Sequence, residues 1–166
     1  LAARMIAVAV RVAAAAGLQV DSSLNTEFEV SGADLPDRGN MASVREVGTV
    51  QDIAQLARMA SANGALFHCD ATQGVGRVPF SMRRMGCDMV TVASHKIHGP
   101  KGIGALAVRA GLELEPLMYG GKQENGLRPG TENVPAIAGF GEACRIAREE
   151  GAQETMRVAA LRDELF

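Results

Sequence analysis

The chain has 166 residues, 47% hydrophobic and 22% charged, with a formal net charge of -2, the length of one domain that can bury a core. That charge and the absence of any five-residue basic run give no reason to expect nucleic acid, and no uninterrupted apolar stretch reaches the ~18 residues of a membrane helix. Cys69, Cys87 and Cys144 are odd in number, far apart and without CxxC spacing, so neither a disulfide framework nor a metal site is expected, and a reducing cytoplasm is the default setting.

Residues 1–16 are rich in Ala and Val, with Arg4 and Arg11 two turns apart, and propensity predicts a helix that Gly17 ends. Arg11 interrupts the apolar part, so the segment does not read as a targeting peptide. Residues 18–40 read as turns around one short strand, Glu27 to Val30. Asp52 is placed to cap a helix with Ile53, Leu56, Ala57, Met59 and Ala60 on one face, closed by Asn63-Gly64. A strand to Asp70 follows, then a Gly74-Val75-Gly76 turn, a short helical piece around Phe80, Met82 and Met85, a strand over 87–92, a loop over 93–102 and a strand from Ile103 to Val108. Residues 119–131, dense in glycine, form a long loop of the kind that is usually functional. Thr131 is placed to cap the next helix, with Pro135 in its first turn, and a second helical stretch runs from about Gln153 to the end. The chain begins at Leu1 and stops at Phe166 inside that stretch, so it is expected to be part of a longer protein.

Two residues carry the chemistry. Asp70 ends one apolar run and Lys96 follows another, so in an open α/β sheet both lie at the edge where ligands bind. An amine able to form an imine beside a carboxylate able to pair with a pyridinium nitrogen is what pyridoxal phosphate requires. Taken alone, Lys96 reads equally as a surface lysine in a turn and Asp70 as a helix cap. Gln73 sits three residues after Asp70, able to reach the far side of the same ring, and His68 reads as a packed strand residue. The GPKGIG loop, 99–104, lacks the Gly-Lys-Ser or Gly-Lys-Thr of a Walker loop. Thr131, after Arg128 and Gly130, offers a hydroxyl and backbone amides to a phosphate.

Together, HCDATQGVGRVPF at 68–80, ASHKIHGPKGIGAL at 93–106 and YGGKQENGLRPGTENVPAIAGFGEA at 119–143 closely resemble the cysteine desulfurases of the NifS-like branch of the class V aminotransferases, from about Glu46 onward. The resemblance implies the central part of the large domain of a type I PLP-dependent transferase. That is an α/β fold with a mostly parallel sheet flanked by helices. Residues 1–40 would be a divergent N-terminal segment, 41–135 the cofactor-binding portion and 136–166 helices leading toward a C-terminal domain. It further implies pyridoxal 5'-phosphate as cofactor, L-cysteine as substrate, a cytoplasmic homodimer, and a sulfur-acceptor or scaffold protein, as in iron-sulfur cluster assembly. By the same resemblance Lys96 forms the Schiff base, Asp70 pairs with the pyridine nitrogen, Gln73 bonds the ring hydroxyl, His95 touches the phosphate, and Thr131 reaches the phosphate of the cofactor in the partner subunit.

The sequence departs from that pattern in places. The family's phosphate-binding serine is Ala93 here, with Ser94 beside it as a partial substitute, and its second asparagine before Glu46 is replaced at Val44-Arg45. No histidine precedes His68 to stack on the ring. None of the three cysteines suits the persulfide-forming role, because all read as small core residues. The expectation is therefore a partial cysteine desulfurase, inactive alone; the alternatives are a dead remnant that serves only in dimerisation or binding, and another class V enzyme such as a selenocysteine lyase.

Overall fold

The computed structural model describes residues 50–165 and, outside that range, the backbone of two short strands, β1 (Met5–Ile6) and β2 (Glu29–Val30). Asp52 accepts the backbone N–H of Gln55 at 2.9 Å and starts α1 (Ile53–Ala62), which buries Ile53, Ala57 and Ala60 along one face. Asn63 ends it as expected, with Gly64 in the left-handed region. Along β3 (Phe67–Asp70) Phe67 and Cys69 are buried, while His68 and Asp70 alternate with them and are only half-buried. A turn over 72–77 and the four-residue α2 (Met82–Met85), capped by Ser81 and closed by left-handed Gly86, lead into β4 (Met89–Ala93). A tight 3-10 turn, Ser94–Ile97, separates β4 from β5 (Gly104–Val108), and α3 (Val134–Leu165) follows the long loop.

The strands form one sheet in the order β1-β5-β4-β3-β2. The α/β class holds, but the sheet is mixed where the sequence suggests a mostly parallel one. Among the described pairings β3 and β4 run parallel, whereas β4–β5, β1–β5 and β2–β3 are antiparallel. Connection length explains the difference. Residues 71–88 hold α2 and are long enough for a crossover, but 94–103 fall short of the ~12 or more residues a parallel return needs, so β5 comes back alongside β4.

Three local expectations are corrected. Met5 and Ile6 pair with Ala107 and Leu106 in the sheet instead of lying in a helix, since sheet pairing overrides a weak Ala-rich propensity. The rest of 1–16, the turns of 18–40 apart from β2, and the Val44-Arg45 departure lie outside the described residues. The α3 cap is Asn133, whose Oδ1 accepts the Ala136 N–H at 3.2 Å, and not Thr131. With Thr131 as cap, Pro135 would stand where the first intrahelical N–H is needed. With Asn133 it falls among the positions that have no such partner, and the first bond is Ile137 N–H to Asn133 O at 2.9 Å. Finally, α3 runs unbroken through Gly151, so the separate helix expected from Gln153 does not exist. Arg145 bonds Glu142 and Glu149, Arg157 bonds Glu154, and Thr155 Oγ1 donates to Arg77 O at 3.1 Å, carrying the helix past the glycine.

Two clusters make the described core. Ile53, Ala57 and Ala60 of α1 pack on Phe67, Cys69, Ala71, Cys87 and Val90. Ile97, Ala105, Phe140 and Ala143 bring α3 onto the turn that follows β4. No helix among the described residues is long and apolar enough to cross a membrane.

Candidate active site

The parallel pairing of β3 and β4 decides where the acid and the amine fall. Asp70 is level with Thr91, β3 ends at Asp70, and β4 ends at Ala93 just before the turn that carries Ser94, His95 and Lys96. Asp70 and Lys96 therefore share the carboxyl edge of the parallel pair, where α/β sheets open toward ligands. Asp70 Oδ1 accepts the Thr72 N–H at 2.9 Å, which orients the carboxylate. Among the described residues neither the second carboxylate oxygen nor the Lys96 amine has a hydrogen-bond or ion-pair partner.

The lysine turn is clamped from several sides. Gly99 N–H donates to Ser94 O at 3.0 Å, and His98 reverses the chain at a φ of 66°. Arg77, at the end of the 72–77 turn, donates from Nη2 to Lys96 O at 3.4 Å and so ties the loop after Asp70 to the lysine backbone. A Cβ on Gly99 would stand 2.1 Å from Ser94 Oγ and 3.0 Å from Ala143 Cβ, and one on Gly139 would stand 2.7 Å from Pro100 Cγ. Those two glycines let α3 approach the turn from Ser94 to Pro100 closely.

Of the other residues singled out by sequence, Gln73 is half-buried in the turn after Asp70 and His95 is exposed beside Lys96. Thr131 is exposed at the end of the long loop and makes no hydrogen bond to the others. Ser94 is 0% exposed and its hydroxyl has no partner, so as placed it cannot meet a ligand from solvent. The small-residue packing that seats the lysine turn seals that hydroxyl in.

Two residues given no role at the site by the sequence, His68 and Arg77, lie beside it. His68 Nε2 and Thr91 Oγ1 share a 2.7 Å hydrogen bond across the parallel strands. Burial lowers the His68 pKa from its usual 6.5, and the Asp70 charge, the lesser influence, acts in the opposite direction. Arg77 is the other addition. The His68 contact follows from the strand register and the Arg77 contact from the packing of two turns, and the nearest available signal was the alternation that puts His68 and Asp70 on one face.

The cysteines are unsuited to nucleophilic work. Cys69 and Cys87 are buried in the core, where the hydrogen bond that the Cys69 thiol donates to Cys87, followed by burial, pushes Cys69 far up, while the same bond lowers Cys87. Cys144 is half-buried on α3 and burial raises its pKa too. No group of three or more His, Cys, Asp or Glu among the described residues could hold a metal ion.

Residues 41–164 match the Aminotransferase class-V family. The chain is 45% identical over 150 residues to a cysteine desulfurase of Gluconacetobacter diazotrophicus, covering 88% of this chain and 38% of that protein. It resembles the X-ray structure of a NifS-like protein from Rickettsia africae at 36% identity and a TM-score of 0.73, over 75% of this chain and 35% of that one. A structure of SspA in complex with cysteine matches at 42% identity and a TM-score of 0.60, over 63% of this chain and 31% of that one. The chain thus spans 38% to 39% of the length of two curated cysteine desulfurases that it matches.

Proposed function

The chain belongs to the Aminotransferase class-V family, and from that premise we propose that it is the cofactor-holding part of a pyridoxal-phosphate-dependent cysteine desulfurase. The observation that carries this reading is the unpaired Lys96 amine at the same sheet edge as Asp70, a carboxylate with one oxygen tied to Thr72 and one without a partner. The donor set fits the cofactor. Lys96 would hold it covalently, Asp70 would hold the proton on its ring nitrogen, Gln73 would bond the ring hydroxyl, and His95 would contact the phosphate. Thr131, exposed at the end of its loop, would serve the site of a second copy in a homodimer. Ser94 is left out of this set because its hydroxyl is buried.

Pyridoxal phosphate supplies an aldehyde carbon that takes up amines and a ring that accepts the electrons of a breaking bond. The protein's part is to place charge and protons. Asp70 offers fixed negative charge toward a cationic ring nitrogen, held by a local backbone bond that needs no rearrangement during reaction. Lys96, on a turn clamped by Arg77 and α3, would take and return a proton at the substrate Cα. The substrate on this reading is L-cysteine, which leaves as alanine. Its sulfur passes to a thiol other than Cys69, Cys87 and Cys144, since these are core residues, and then to an acceptor or scaffold protein in the cytoplasm.

The test is spectroscopic. Adding pyridoxal phosphate to the purified chain should produce a visible absorbance band that Lys96→Ala abolishes. Sulfide release from cysteine by this chain alone should not occur. A band that survives Lys96→Ala would refute the assignment of Lys96.

A further inference from the structure

The face of β3 that carries Asp70 also carries His68 two residues earlier, and the register sets Thr91 of β4 level with Asp70. The imidazole is tied to the Thr91 hydroxyl at 2.7 Å, while Asp70 accepts its own bond from Thr72 at 2.9 Å. The acid is thus held by its loop, and the histidine behind it is held by the neighbouring strand. We propose that His68 and Thr91 form a positioning pair for Asp70, in which a neutral imidazole anchored on the threonine backs the carboxylate and leaves its charge to a cationic ring nitrogen. This rests on the reading of Asp70 as the ring-nitrogen partner.

The argument is one of competing charges. A protonated imidazole in this place would itself be the counter-ion of Asp70 and would weaken the pull of the carboxylate on a second cation. A wholly apolar side chain would instead desolvate the carboxylate and favour its protonated form. A neutral, hydrogen-bonded imidazole avoids both. Burial, which lowers the His68 pKa from 6.5, acts toward the neutral form, against the smaller opposing influence of Asp70. Among the described residues, the titratable group brought alongside His68 is Asp70 on its own strand. Thr91 has a further task. Without its hydroxyl the imidazole is free to turn and bond to Asp70 directly, which would occupy the acceptor the ligand needs.

The experiment has two arms, both on the whole 166-residue chain. Without ligand, the His68 ring resonances are followed by NMR as pH is lowered, in the wild type and in Asp70→Asn. The imidazole should remain predominantly neutral at pH 6.5, where an ordinary histidine is half protonated, and Asp70→Asn should push its titration lower still. With pyridoxal phosphate, binding is titrated for the wild type, Asp70→Asn, Thr91→Val and His68→Phe. Thr91→Val keeps the side-chain shape and guards against a His68→Phe variant that fails to fold. It should retain the Lys96-dependent band, bind about three- to tenfold more weakly, the scale of one net hydrogen bond, and change the pH at which the band titrates.

Each outcome decides something. Asp70→Asn weakening binding while Thr91→Val and His68→Phe bind and titrate as wild type overturns the positioning role and leaves the reading of Asp70 standing. Asp70→Asn binding normally, or no binding by the wild type, overturns both. A His68 that titrates at its ordinary value overturns the positioning role by itself.

Discussion

Exchanging Gly139 and Gly141 for alanine, one at a time, tests how closely α3 approaches the lysine turn. Both glycines lie in the same helix, so each substitution removes the same backbone penalty, about 0.8–1.0 kcal/mol in favour of alanine. Their surroundings differ. A Cβ at 141 has nothing within 4 Å, whereas a Cβ at 139 would stand 2.7 Å from Pro100 Cγ and 3.1 Å from Pro100 Cδ, atoms of a ring that cannot rotate away. Gly141→Ala should therefore stabilise the chain by nearly the full propensity gain. Gly139→Ala adds an overpacking cost of about 1–3 kcal/mol, which turns that gain into a net change between roughly zero and a loss of about 2 kcal/mol. The two variants should differ by about 1–3 kcal/mol in urea unfolding, with similar m-values. Equal stabilisation by both would show that the helix and Pro100 are farther apart than described, and the account of how the turn is held would fail with it.

Native-state labelling with a thiol reagent should leave Cys69 and Cys87 unmodified and modify Cys144 only slowly near neutral pH, since burial raises its pKa; rapid labelling of any of the three before unfolding would contradict the packing. The folded pKa of His68 lies below 6.5, so the unfolded chain takes up the proton first as pH falls. The contribution of a neutral His68 is fully present above 6.5 and is lost as pH drops from there toward the folded value. Urea midpoints measured from about pH 7.5 to about pH 5 should decline, and His68→Gln should flatten part of the decline; an unchanged slope in that variant would refute the assignment of a half-buried neutral ring.

The shared edge of Asp70 and Lys96 was legible because two apolar runs with polar residues just past their ends place those residues on one sheet edge if the strands run parallel, and β3 and β4 do. The cap at Asp52 and the stop at Asn63 were legible for similarly local reasons. The antiparallel direction of β5 was not among the expectations, although the shortness of 94–103 carried the information. The cap of α3 falls on Asn133 and not Thr131 because Pro135 lacks the N–H that a helix capped at Thr131 would need for its first bond. Contacts such as His68 with Thr91, Arg77 with Lys96, and the sealed hydroxyl of Ser94 depend on register and on packing between distant segments, which no single stretch encodes.

The antiparallel return of β5 beside β4 places Lys96 within a hairpin-like unit of consecutive chain. Closing so short a span costs little entropy, and contacts near in sequence form early. On a ribosome, the segment bearing the amine can therefore take shape soon after it emerges, before α3 has been synthesised to cover it. The acid on β3 precedes it in the chain and needs only to dock along the edge of that hairpin left open.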